Sequence, residues 1–426
     1  MPPSDSVNWM RQASRFIRSH RQKTFVIHLS GDLLESQTID ECTEDLLLLA
    51  GLGIKLVLIH GARPQIDAAC QSHDPNATPE FVNDIRVTRG DMFTAVKQAI
   101  LTSRAGLEAK LARAALDTVE RHAAIPIVGG TFVVARPKGV VAGKDTGLAG
   151  EIRRVDAEAI NHCLADGSIV LLSPLAYSSS GEAFNMNSLE LAMTVAAELH
   201  ANKFILLSDK NLYDASDKTP LRQLTLKQAR DVAPDDPELA RLLNVAVKAC
   251  QQGVQRTHIV NYQISGALME ELFTRDGSGT LISDAPFDRL RAATIDDIGG
   301  ILALIEPLEA MGLLVKRSRE KLEMEIDHFQ VMVREGTVVA CGALYEFADG
   351  EVAEIACIAV HPDYRGNEFG RALVTSLEQR AQSRGVASVF VLTTDAIQWF
   401  EELGYARVTL EQLPVERQQL YNYQRN

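Results

Sequence analysis

The chain has 426 residues, which is too long for one ordinary hydrophobic core and predicts two or three domains. Its residues are 46% hydrophobic and 23% charged, and the net charge of −13 argues against a general binder of nucleic acid or of anionic membranes. No apolar run approaches the ~20 residues of a membrane span, so we expect no membrane partner. The six cysteines form neither a C-x-x-C pair nor a cluster with histidines. We therefore expect a cytoplasmic chain with reduced thiols and no metal.

Residues 1–22 are predicted to form an amphipathic N-terminal helix. The stretch 8–23 is rich in arginine, and Trp9, Phe16 and Ile17 lie at helical spacing. An arginine-rich, acid-poor N-terminus is also typical of a transit peptide, so that alternative stays open. The apolar face favours a helix that packs on another surface, such as a second subunit.

After this helix, predicted strands and helices alternate along the chain. The near-continuous apolar strands are TFVIHLSG, IKLVLIHG, SIVLLSPL and FILLSD, and the helices are predicted at 39–49, 108–121 and 189–201. Strands buried on both faces are typical of a mostly parallel sheet covered by helices, an α/β arrangement. Such sheets bind ligands beyond the carboxyl ends of their strands.

Four segments of this region, taken in order, resemble the amino-acid kinase family. They are IKLVLIHGARPQID (54–67), IRVT (85–88), FNMNSLELAMTVAAELHANKFILLSD (184–209) and ELFTRDGSGTLI (271–282). The resemblance covers about residues 23–282 and implies an amino-acid kinase-like domain over that range.

Kinase catalysis is not expected from this domain, because charged groups of that family are missing. Phosphoryl transfer needs cations on the nucleotide phosphates and a backbone cradle. By resemblance, His28 replaces a lysine, Leu189 replaces an aspartate and Leu242 replaces a second lysine. The domain is therefore predicted to keep its fold, to lack kinase catalysis and to bind a regulatory small molecule.

Arginine-sensitive members of the kinase family share a His, a Glu thirteen residues later and a Gly six residues after that. This chain has His258, Glu271 and Gly277 at those spacings. The resemblance implies an L-arginine site at which Glu271 pairs with the guanidinium. Without the resemblance, the same residues are predicted to be a structural His at a strand end and a surface Glu.

The N-terminal helix of those arginine-sensitive relatives often presents a tyrosine to the arginine site, and this chain has Phe16 there. The same relatives form rings of six subunits through interlaced N-terminal helices. The resemblance therefore implies a homo-oligomer, a hexamer, in which arginine couples two distant sites.

The polar, proline-containing stretch 283–287 is the predicted linker. Residues 288–426 then read as a smaller α+β domain with the order β-α-α-β-β-β-α-β-α-β. Its predicted features include a hairpin turn at Glu335-Gly336, an apolar strand at 353–360 and a second strand, VASVFVLTTD.

The stretch HPDYRGNEFGRALVTSLEQRA connects this apolar strand to a helix. Its loop contains Arg365, Gly366 and Gly370, and a helix N-terminus with nearby glycines lets the backbone approach an anion. Arg365 and Arg371 add charges that suit a diphosphate. The segment resembles the acyl-coenzyme-A loop of the GCN5-related N-acetyltransferase family, although Glu368 replaces one motif glycine. That resemblance implies acetyl-CoA as co-substrate.

Acetyl transfer to an amine needs a polarised thioester, a neutral amine and a stabilised leaving thiolate. The resemblance implies that backbone groups of the strand before the loop hold the pantetheine and thioester, here Cys357, Ile358, Ala359 and Val360. Glu354, on the same strand, is the candidate base, acting directly or through water. A salt-bridged strand glutamate is the alternative for this residue.

The leaving thiolate lacks the tyrosine that many relatives use as acid, because that position is Phe400. Thr393 or Thr394, at the end of a strand, is the candidate to stabilise the thiolate, with solvent as the alternative. Cys357 is expected to be a core or backbone contact rather than a nucleophile, since direct transfer in a ternary complex avoids an acyl-enzyme.

A kinase-like domain followed by an acetyltransferase domain resembles the family of bacterial N-acetylglutamate synthases, as do the stretches 316–329 and 413–425. The resemblance implies acetyl transfer to the α-amino group of L-glutamate, at the start of arginine biosynthesis, with feedback inhibition by L-arginine. Two carboxylates on the substrate require cations, and Lys316, Arg317 and Arg425 are the candidates. A solvated basic face is the alternative, especially for Lys316.

Two other functions stay open at this point. One is an arginine-sensing regulatory partner with a weak or inactive transferase, which Glu368 and Phe400 favour. The other is a transferase for a different dicarboxylic amino acid, because the sequence does not fix the length of the pocket.

Overall fold

The structure is a computed structural model that describes residues 13–14, 16–117, 125–214, 218–274, 277–284, 289–334, 337–347, 351–364, 369–393 and 395–419. The chain folds as two compact units, Met1–Ala285 and Pro286–Asn426. Within the described residues, no helix is long and apolar enough to cross a membrane. The six cysteines are unpaired.

The first unit is built around an eight-stranded sheet and a small closed barrel. In chain order its strands are β1 (Thr24–Leu29), β2 (Lys55–His60), β3 (Phe81–Val82), β4 (Ile85–Arg86), β5 (Ile127–Val128), β6 (Val133–Pro137), β7 (Val140–Val141), β8 (Lys144–Asp145), β9 (Ala149–Val155), β10 (Ile169–Leu172), β11 (Leu175–Tyr177), β12 (Ala183–Met186), β13 (Lys203–Ser208), β14 (Gln223–Thr225), β15 (Thr257–Asn261) and β16 (Thr280–Ser283). The large sheet has the order β14-β16-β15-β13-β1-β2-β10-β5, and strands β11, β12, β9 and β6 close the barrel.

All neighbouring pairs of the large sheet are parallel except β15 and β16. The predicted mostly parallel sheet is therefore confirmed. Its central strands are buried on both faces, so alternate residues of β1 enter different cores: Val26 packs on one side, and Phe25 and Ile27 pack on the other.

Helices cover the large sheet on its two faces. They are α1 (Gly31–Glu35), α2 (Ile39–Gly51), α3 (Arg63–His73), α4 (Phe93–Asp117), α5 (Ala157–Ala165), α6 (Ser188–Glu198), α7 (Leu226–Asp231), α8 (Pro237–Gln251) and α9 (Ala267–Phe273), and residues 16–20 are also helical. The side chain of Asn187 accepts hydrogen bonds from two N–H groups of the first turn of α6, which explains where that helix begins.

Helix α4 corrects one sequence prediction. A helix was expected over 108–121, and it begins instead at Phe93. The earlier turns contain serine, threonine and Gly106, which lower helix propensity. Burial of Val96 and Ile100 at helical spacing stabilises these turns, a tertiary effect that local propensity does not show.

The second unit contains a five-stranded sheet of order β17-β18-β19-β20-β21. Its strands are β17 (Arg289–Ala292), β18 (Phe329–Arg334), β19 (Thr337–Phe347), β20 (Val352–Val360) and β21 (Ser388–Phe390), and its helices are α10 (Ile298–Ala310), α11 (Arg319–Glu325), α12 (Phe369–Ser383), α13 (Ile397–Glu402) and α14 (Val415–Gln419). Only the β20–β21 pair is parallel.

The C-terminal part of this unit differs from the expected order. The strand predicted for VASVFVLTTD is formed only over Ser388–Phe390, and no strand follows α13 among residues 403–419. Beyond Phe390, the chain leaves β20 instead of continuing to pair with it. Val408 is largely exposed, so the segment after α13 lacks the buried face that would hold it as a strand.

Candidate functional sites

A cavity of about 570 Å³ opens in the second unit beside the carboxyl-terminal half of β20. It brings together many of the residues predicted for acetyl transfer, namely Cys357, Ile358, Ala359, Val360, Gly370, Arg371 and Thr393. Arg365, Gly366, Glu368 and Thr394 lie outside the described residues.

The cavity exists because two parallel strands separate. Strand β21 pairs with β20 only as far as Glu354 and Phe390. Beyond that point, the edge of β20 that faces away from β19 has no strand partner among the described residues. Backbone N–H and C=O groups on such an edge are available to pair with an extended amide-bearing molecule.

A β-bulge changes the direction of the backbone of β20 beside the cavity. The register with β19 shifts between Cys341 and Ala343, and Cys357 has a φ of +57°, in the left-handed region. Opposite the bulge, a Cβ on Gly342 would lie 2.6 Å from the terminal methyl group of Ile358, so a larger residue there would require that side chain to shift. Backbone strain at a bulge beside a cavity is typical of a functional site.

The thiol of Cys357 is buried, and burial raises its pKa, an effect that the nearby positive charge of Arg317 opposes. A thiol with a raised pKa stays protonated near neutral pH, and the thiolate is the nucleophilic form. This environment favours a backbone role for Cys357.

Helix α12 begins at the cavity wall. Phe369 is buried, and a Cβ on Gly370 would lie 3.0 Å from the indole ring of Trp399, so the helix start packs closely against α13. Gly370 and Arg371 therefore place the N-terminal turn of a fifteen-residue helix at the cavity. The backbone N–H groups and the dipole of such a turn attract a phosphate.

Glu354 is 7% exposed and is held by an arginine that the sequence analysis did not select. The guanidinium of Arg417 donates from Nε at 2.6 Å and from Nη2 at 3.1 Å to its two carboxylate oxygens. The alternative for this residue, a salt-bridged strand glutamate, is therefore present, and a base role for Glu354 would have to operate from within this pair. The only sequence signal for Arg417 was its place within the stretch 413–425.

Thr393 lies at the cavity wall before α13. Its hydroxyl oxygen accepts a hydrogen bond from the backbone N–H of Ala396 at 3.0 Å. Because the oxygen accepts this bond, the hydroxyl proton remains available to be donated to a group in the cavity.

Arg317 is partly buried near the bulge, with 12% of its side chain exposed. Its backbone N–H donates to Glu309 at 2.8 Å, and its guanidinium lies 4.0 Å from the carboxylate of Glu325, which also accepts the hydroxyl of Tyr345 at 2.7 Å. Burial acts to lower the pKa of Arg317, but Cys357, Tyr345 and Glu325 outweigh it, so the net shift of the pKa is upward. Its Nε has no hydrogen-bond partner among the described residues.

The other two predicted substrate cations have different surroundings. Lys316 is exposed. Arg425 lies outside the described residues. Tyr345 and Glu325 were missed by the sequence analysis, because they come together only when β19 packs beside α11.

In the first unit, the three residues of the predicted arginine site form one buried cluster. His258, 1% exposed, contacts Glu271 through Nδ1 at 2.6 Å. The second carboxylate oxygen of Glu271 accepts the N–H groups of Ser278 at 2.9 Å and Gly279 at 2.7 Å. The alternative of a surface glutamate is therefore wrong for Glu271.

Gly277 closes this cluster, since its φ is +64° and a Cβ would lie 2.3 Å from Glu271 Oε2. Lys203, which the sequence analysis missed, lies 3.2 Å from His258 Nε2. Burial acts to raise the pKa of Glu271, but His258, Gly279 and Lys203 outweigh it and lower the pKa overall. The cluster is a preorganised carboxylate in a buried site.

Phe16 lies beside this cluster on the N-terminal helix. Its ring centroid is 6.3 Å from that of His20, whose Nε2 is 2.8 Å from the carbonyl oxygen of Leu272, the residue after Glu271. The helical residues 16–20 therefore pack next to the predicted site.

The residues at the former kinase positions carry no charge that could serve phosphoryl transfer. Leu189 and Leu242 are buried in the core. His28 is also buried, and burial, followed by the charges of His60 and Arg241, lowers its pKa to about 3, so its imidazole is neutral near pH 7.

Comparisons with known proteins agree with this architecture. The amino acid kinase family matches residues 23–261, and the acetyltransferase (GNAT) family matches residues 304–405. An amino-acid acetyltransferase from Pseudomonas aeruginosa is 44% identical over 425 residues, covering 99% of this chain and 98% of the relative. The chain belongs to the amino-acid acetyltransferase family. A relative of the same name from Pseudomonas putida is 44% identical over 428 residues, with 99% and 98% covered.

Among solved structures, N-acetylglutamate synthase from Neisseria gonorrhoeae, complexed with coenzyme A and L-arginine, is 36% identical to this amino-acid acetyltransferase, with a TM-score of 0.88. The match covers 97% of this chain and 96% of that one. The same synthase complexed with coenzyme A and N-acetyl-glutamate matches with a TM-score of 0.63. The predicted two-part fold and acyltransferase activity are confirmed.

Proposed function

We propose that this amino-acid acetyltransferase transfers the acetyl group of acetyl-CoA directly to the α-amino group of L-glutamate, and that L-arginine inhibits it from the kinase-like unit. The observation that carries the proposal is the cavity along the unpaired edge of β20, beside the start of α12. The proposal is also supported by the similarity to a synthase that was solved once with coenzyme A and L-arginine and once with coenzyme A and N-acetyl-glutamate.

The cavity has the chemistry that acetyl-CoA requires. The backbone of Ile358, Ala359 and Val360 offers amide pairing to the pantetheine arm, and Gly370 and Arg371 offer helix N–H groups and a cation to the diphosphate. Arg365 and Gly366 are proposed to complete the diphosphate loop. Bound there, acetyl-CoA supplies the activated acyl group.

Three reacting groups are proposed: Cys357 and Thr393 line the cavity, and Glu354 directly precedes Ile355, the first residue of β20 in the cavity wall. The backbone at Cys357 polarises the thioester carbonyl, while Glu354 accepts the amine proton through water, because its oxygens are already paired with Arg417. Thr393 donates its hydroxyl proton toward the leaving sulfur. No covalent enzyme intermediate is needed in this ternary complex.

Substrate recognition is proposed to depend on Arg317, a partly buried guanidinium near the bulge whose Nε makes no hydrogen bond within the described residues and lies 4.0 Å from Glu325. A planar guanidinium pairs with a carboxylate through two hydrogen bonds. Lys316 and Arg425 are proposed to add charge at the same end of the substrate.

The regulatory site is proposed to be the cluster of His258, Glu271 and Gly277 with the neighbouring Phe16. Glu271 is held ionised by its hydrogen bonds, so it suits the guanidinium of arginine. We further propose a cytoplasmic homo-hexamer assembled through the N-terminal helix, in which arginine biosynthesis is controlled by its end product.

The test is release of free thiol from acetyl-CoA in the presence of L-glutamate, with and without L-arginine. Glutamate-dependent release that arginine suppresses is the expected result. Release that ignores arginine would remove the regulatory part of the proposal. Arginine binding without thiol release would instead support an arginine-sensing partner.

A further inference from the structure

Three polar side chains meet beside the bulge of β20. They are Arg317, which follows α10, Glu325, the last residue of α11, and Tyr345 of β19. Arg317 is close enough to Cys357 of the cavity wall for its charge to oppose the rise in the pKa of that thiol. The three side chains therefore border the acetyl-transfer cavity at the proposed acceptor site.

One oxygen of Glu325 is shared between the other two side chains. Its Oε2 accepts the hydroxyl of Tyr345 at 2.7 Å and lies 4.0 Å from Nε of Arg317. The first distance is that of a hydrogen bond, and the second is too long for one. Nε of Arg317 is shielded from solvent and has no hydrogen-bond partner in the part of the chain that the structure describes. The tyrosine therefore engages an oxygen that can otherwise pair with the guanidinium.

Further contacts hold the carboxylate and the guanidinium in place. The other oxygen of Glu325, Oε1, lies 3.7 Å from the ammonium group of Lys321, one turn earlier on α11. The backbone N–H of Arg317 donates to Glu309 at 2.8 Å, and its Nη1 donates to the carbonyl oxygen of Val315 at 3.2 Å. A shielded N–H without an acceptor is unfavourable, so the Nε edge of this guanidinium favours an added carboxylate.

Tyr345 is itself fixed on β19. Its ring stacks on that of His328, with centroids 4.9 Å apart, and Nδ1 of His328 donates to the carbonyl oxygen of Leu344 at 3.1 Å. Burial, followed by the hydrogen bond to Glu325, raises the pKa of Tyr345, so its hydroxyl stays protonated and remains a donor near neutral pH. Tyr345 pairs directly with Glu354 of β20, which places its side chain on the same face of the sheet as the proposed base.

We propose that Tyr345 is a positioning residue for recognition of the acceptor. Its hydroxyl holds the carboxylate of Glu325 away from Arg317, which leaves the guanidinium available to a carboxylate of the amino acid. The inference rests on the proposed function, in which Arg317 binds that carboxylate. Without the hydroxyl, Oε2 of Glu325 turns to Nε of Arg317 and competes with the acceptor.

Tyr345→Phe tests this role through the kinetics of thiol release. The KM for glutamate should rise at least about tenfold, while kcat and the KM for acetyl-CoA change less than about twofold. A KM for glutamate that does not change, or a similar rise in both KM values, overturns the proposal.

Tyr405→Phe is the matched control. The hydroxyl of Tyr405 also donates to a glutamate, Glu378, at 2.7 Å in the same unit, and Tyr405 does not line the acetyl-transfer cavity. This variant should lose a similar amount of stability in denaturant unfolding and keep both KM values. An equal rise in the KM for glutamate in the two variants contradicts the assignment.

Removing the charge of Glu325 separates positioning from a purely structural hydrogen bond. The double variant Tyr345→Phe with Glu325→Gln should return the KM for glutamate to within about threefold of the unmodified value, because a neutral amide competes weakly for a guanidinium. A double variant as impaired as Tyr345→Phe shows a structural role and overturns the proposal. Glu325→Gln alone should not raise this KM; a tenfold rise would show that the carboxylate supports acceptor binding, and this arm remains decisive even when Tyr345→Phe fails to fold.

A crystal structure of Tyr345→Phe tests the inference without acetyl transfer. Oε2 of Glu325 should lie within hydrogen-bond distance of Nε of Arg317 in that variant, and a separation that stays near 4.0 Å contradicts the competition. Absence of glutamate-dependent thiol release from the unmodified chain would instead refute the proposed function, so the two failures are distinguishable.

Discussion

Glu354 and Arg417 are 63 residues apart in the chain and form a buried, bidentate ion pair that ties strand β20 to helix α14. The pair lies at the point where β20 and β21 stop pairing, one residue before Ile355, the first residue of β20 that lines the acetyl-transfer cavity. The proposed base is therefore held by the C-terminal segment of its own unit, and we expect acetyl transfer to depend on the docking of that segment.

Arg417→Gln should destabilise the protein by about 3 kcal/mol, because it leaves a buried carboxylate without its charge partner. Acetyl transfer should fall on the order of tenfold or more, since Glu354 loses its orientation. Denaturant unfolding and glutamate-dependent thiol release measure the two effects.

The control for this change is Arg407→Gln, which breaks the exposed pair between Arg407 and Glu401 in the same unit. Exposed pairs contribute about 0–1 kcal/mol, so both readouts should hardly change. A double variant with Glu354→Gln should recover part of the lost stability. Similar stability losses for Arg417→Gln and Arg407→Gln would show that the pair of Glu354 and Arg417 contributes no more to stability than an exposed pair.

Arg317→Lys tests recognition of the acceptor. Lysine keeps the charge but cannot make the planar two-point contact with a carboxylate, so the KM for glutamate should rise about tenfold while kcat changes less. Arg319→Lys, at an exposed arginine two residues away, is the control and should leave KM unchanged. A fall in kcat alone would move Arg317 out of the glutamate site.

Gly277→Ala should weaken inhibition by arginine at least about tenfold. The new Cβ collides with Glu271 Oε2 in a backbone conformation that already disfavours alanine. Gly167→Ala has the same type of positive φ with no atom within 4 Å of the added Cβ, so it isolates the cost of the conformation. Inhibition curves, each normalised to the activity of that variant without arginine, decide the comparison; equal curves for both variants would contradict the cluster as the arginine site.

The sequence predicted the central strands well because their runs of buried apolar residues are visible without any knowledge of their neighbours. The contact between His258 and Glu271 was expected only from the resemblance to arginine-sensitive kinases, because the sequence by itself predicted a structural histidine and a surface glutamate. Lys203 and Arg417 were not, because each reaches its partner across a long sequence separation. The end of β21 was also missed, since VASVFVLTTD remains apolar after the strand has left its partner.

Two buried histidines make the stability of the first unit sensitive to acid. Burial is the main cause that lowers the pKa of His28 to about 3 and that of His60 to about 4, below the usual value of 6.5. Below pH 6.5 these histidines bind protons in the unfolded chain but stay neutral in the folded chain. The free energy of unfolding should therefore fall from about pH 6.5 toward pH 4.

Replacing His60 by Gln tests this linkage at one of the two sites. His60 contacts the carbonyl of Gly61 at 3.0 Å and the hydroxyl of Ser173 at 2.9 Å, and an amide can preserve part of that bonding without titrating. The free energy of unfolding should therefore decline less steeply between pH 6.5 and 4 in His60→Gln than in the unmodified chain. His162→Gln, at an exposed histidine, should leave the slope unchanged. An unchanged slope in His60→Gln would mean that His60 is protonated in the folded state, which its burial among apolar strands disfavours.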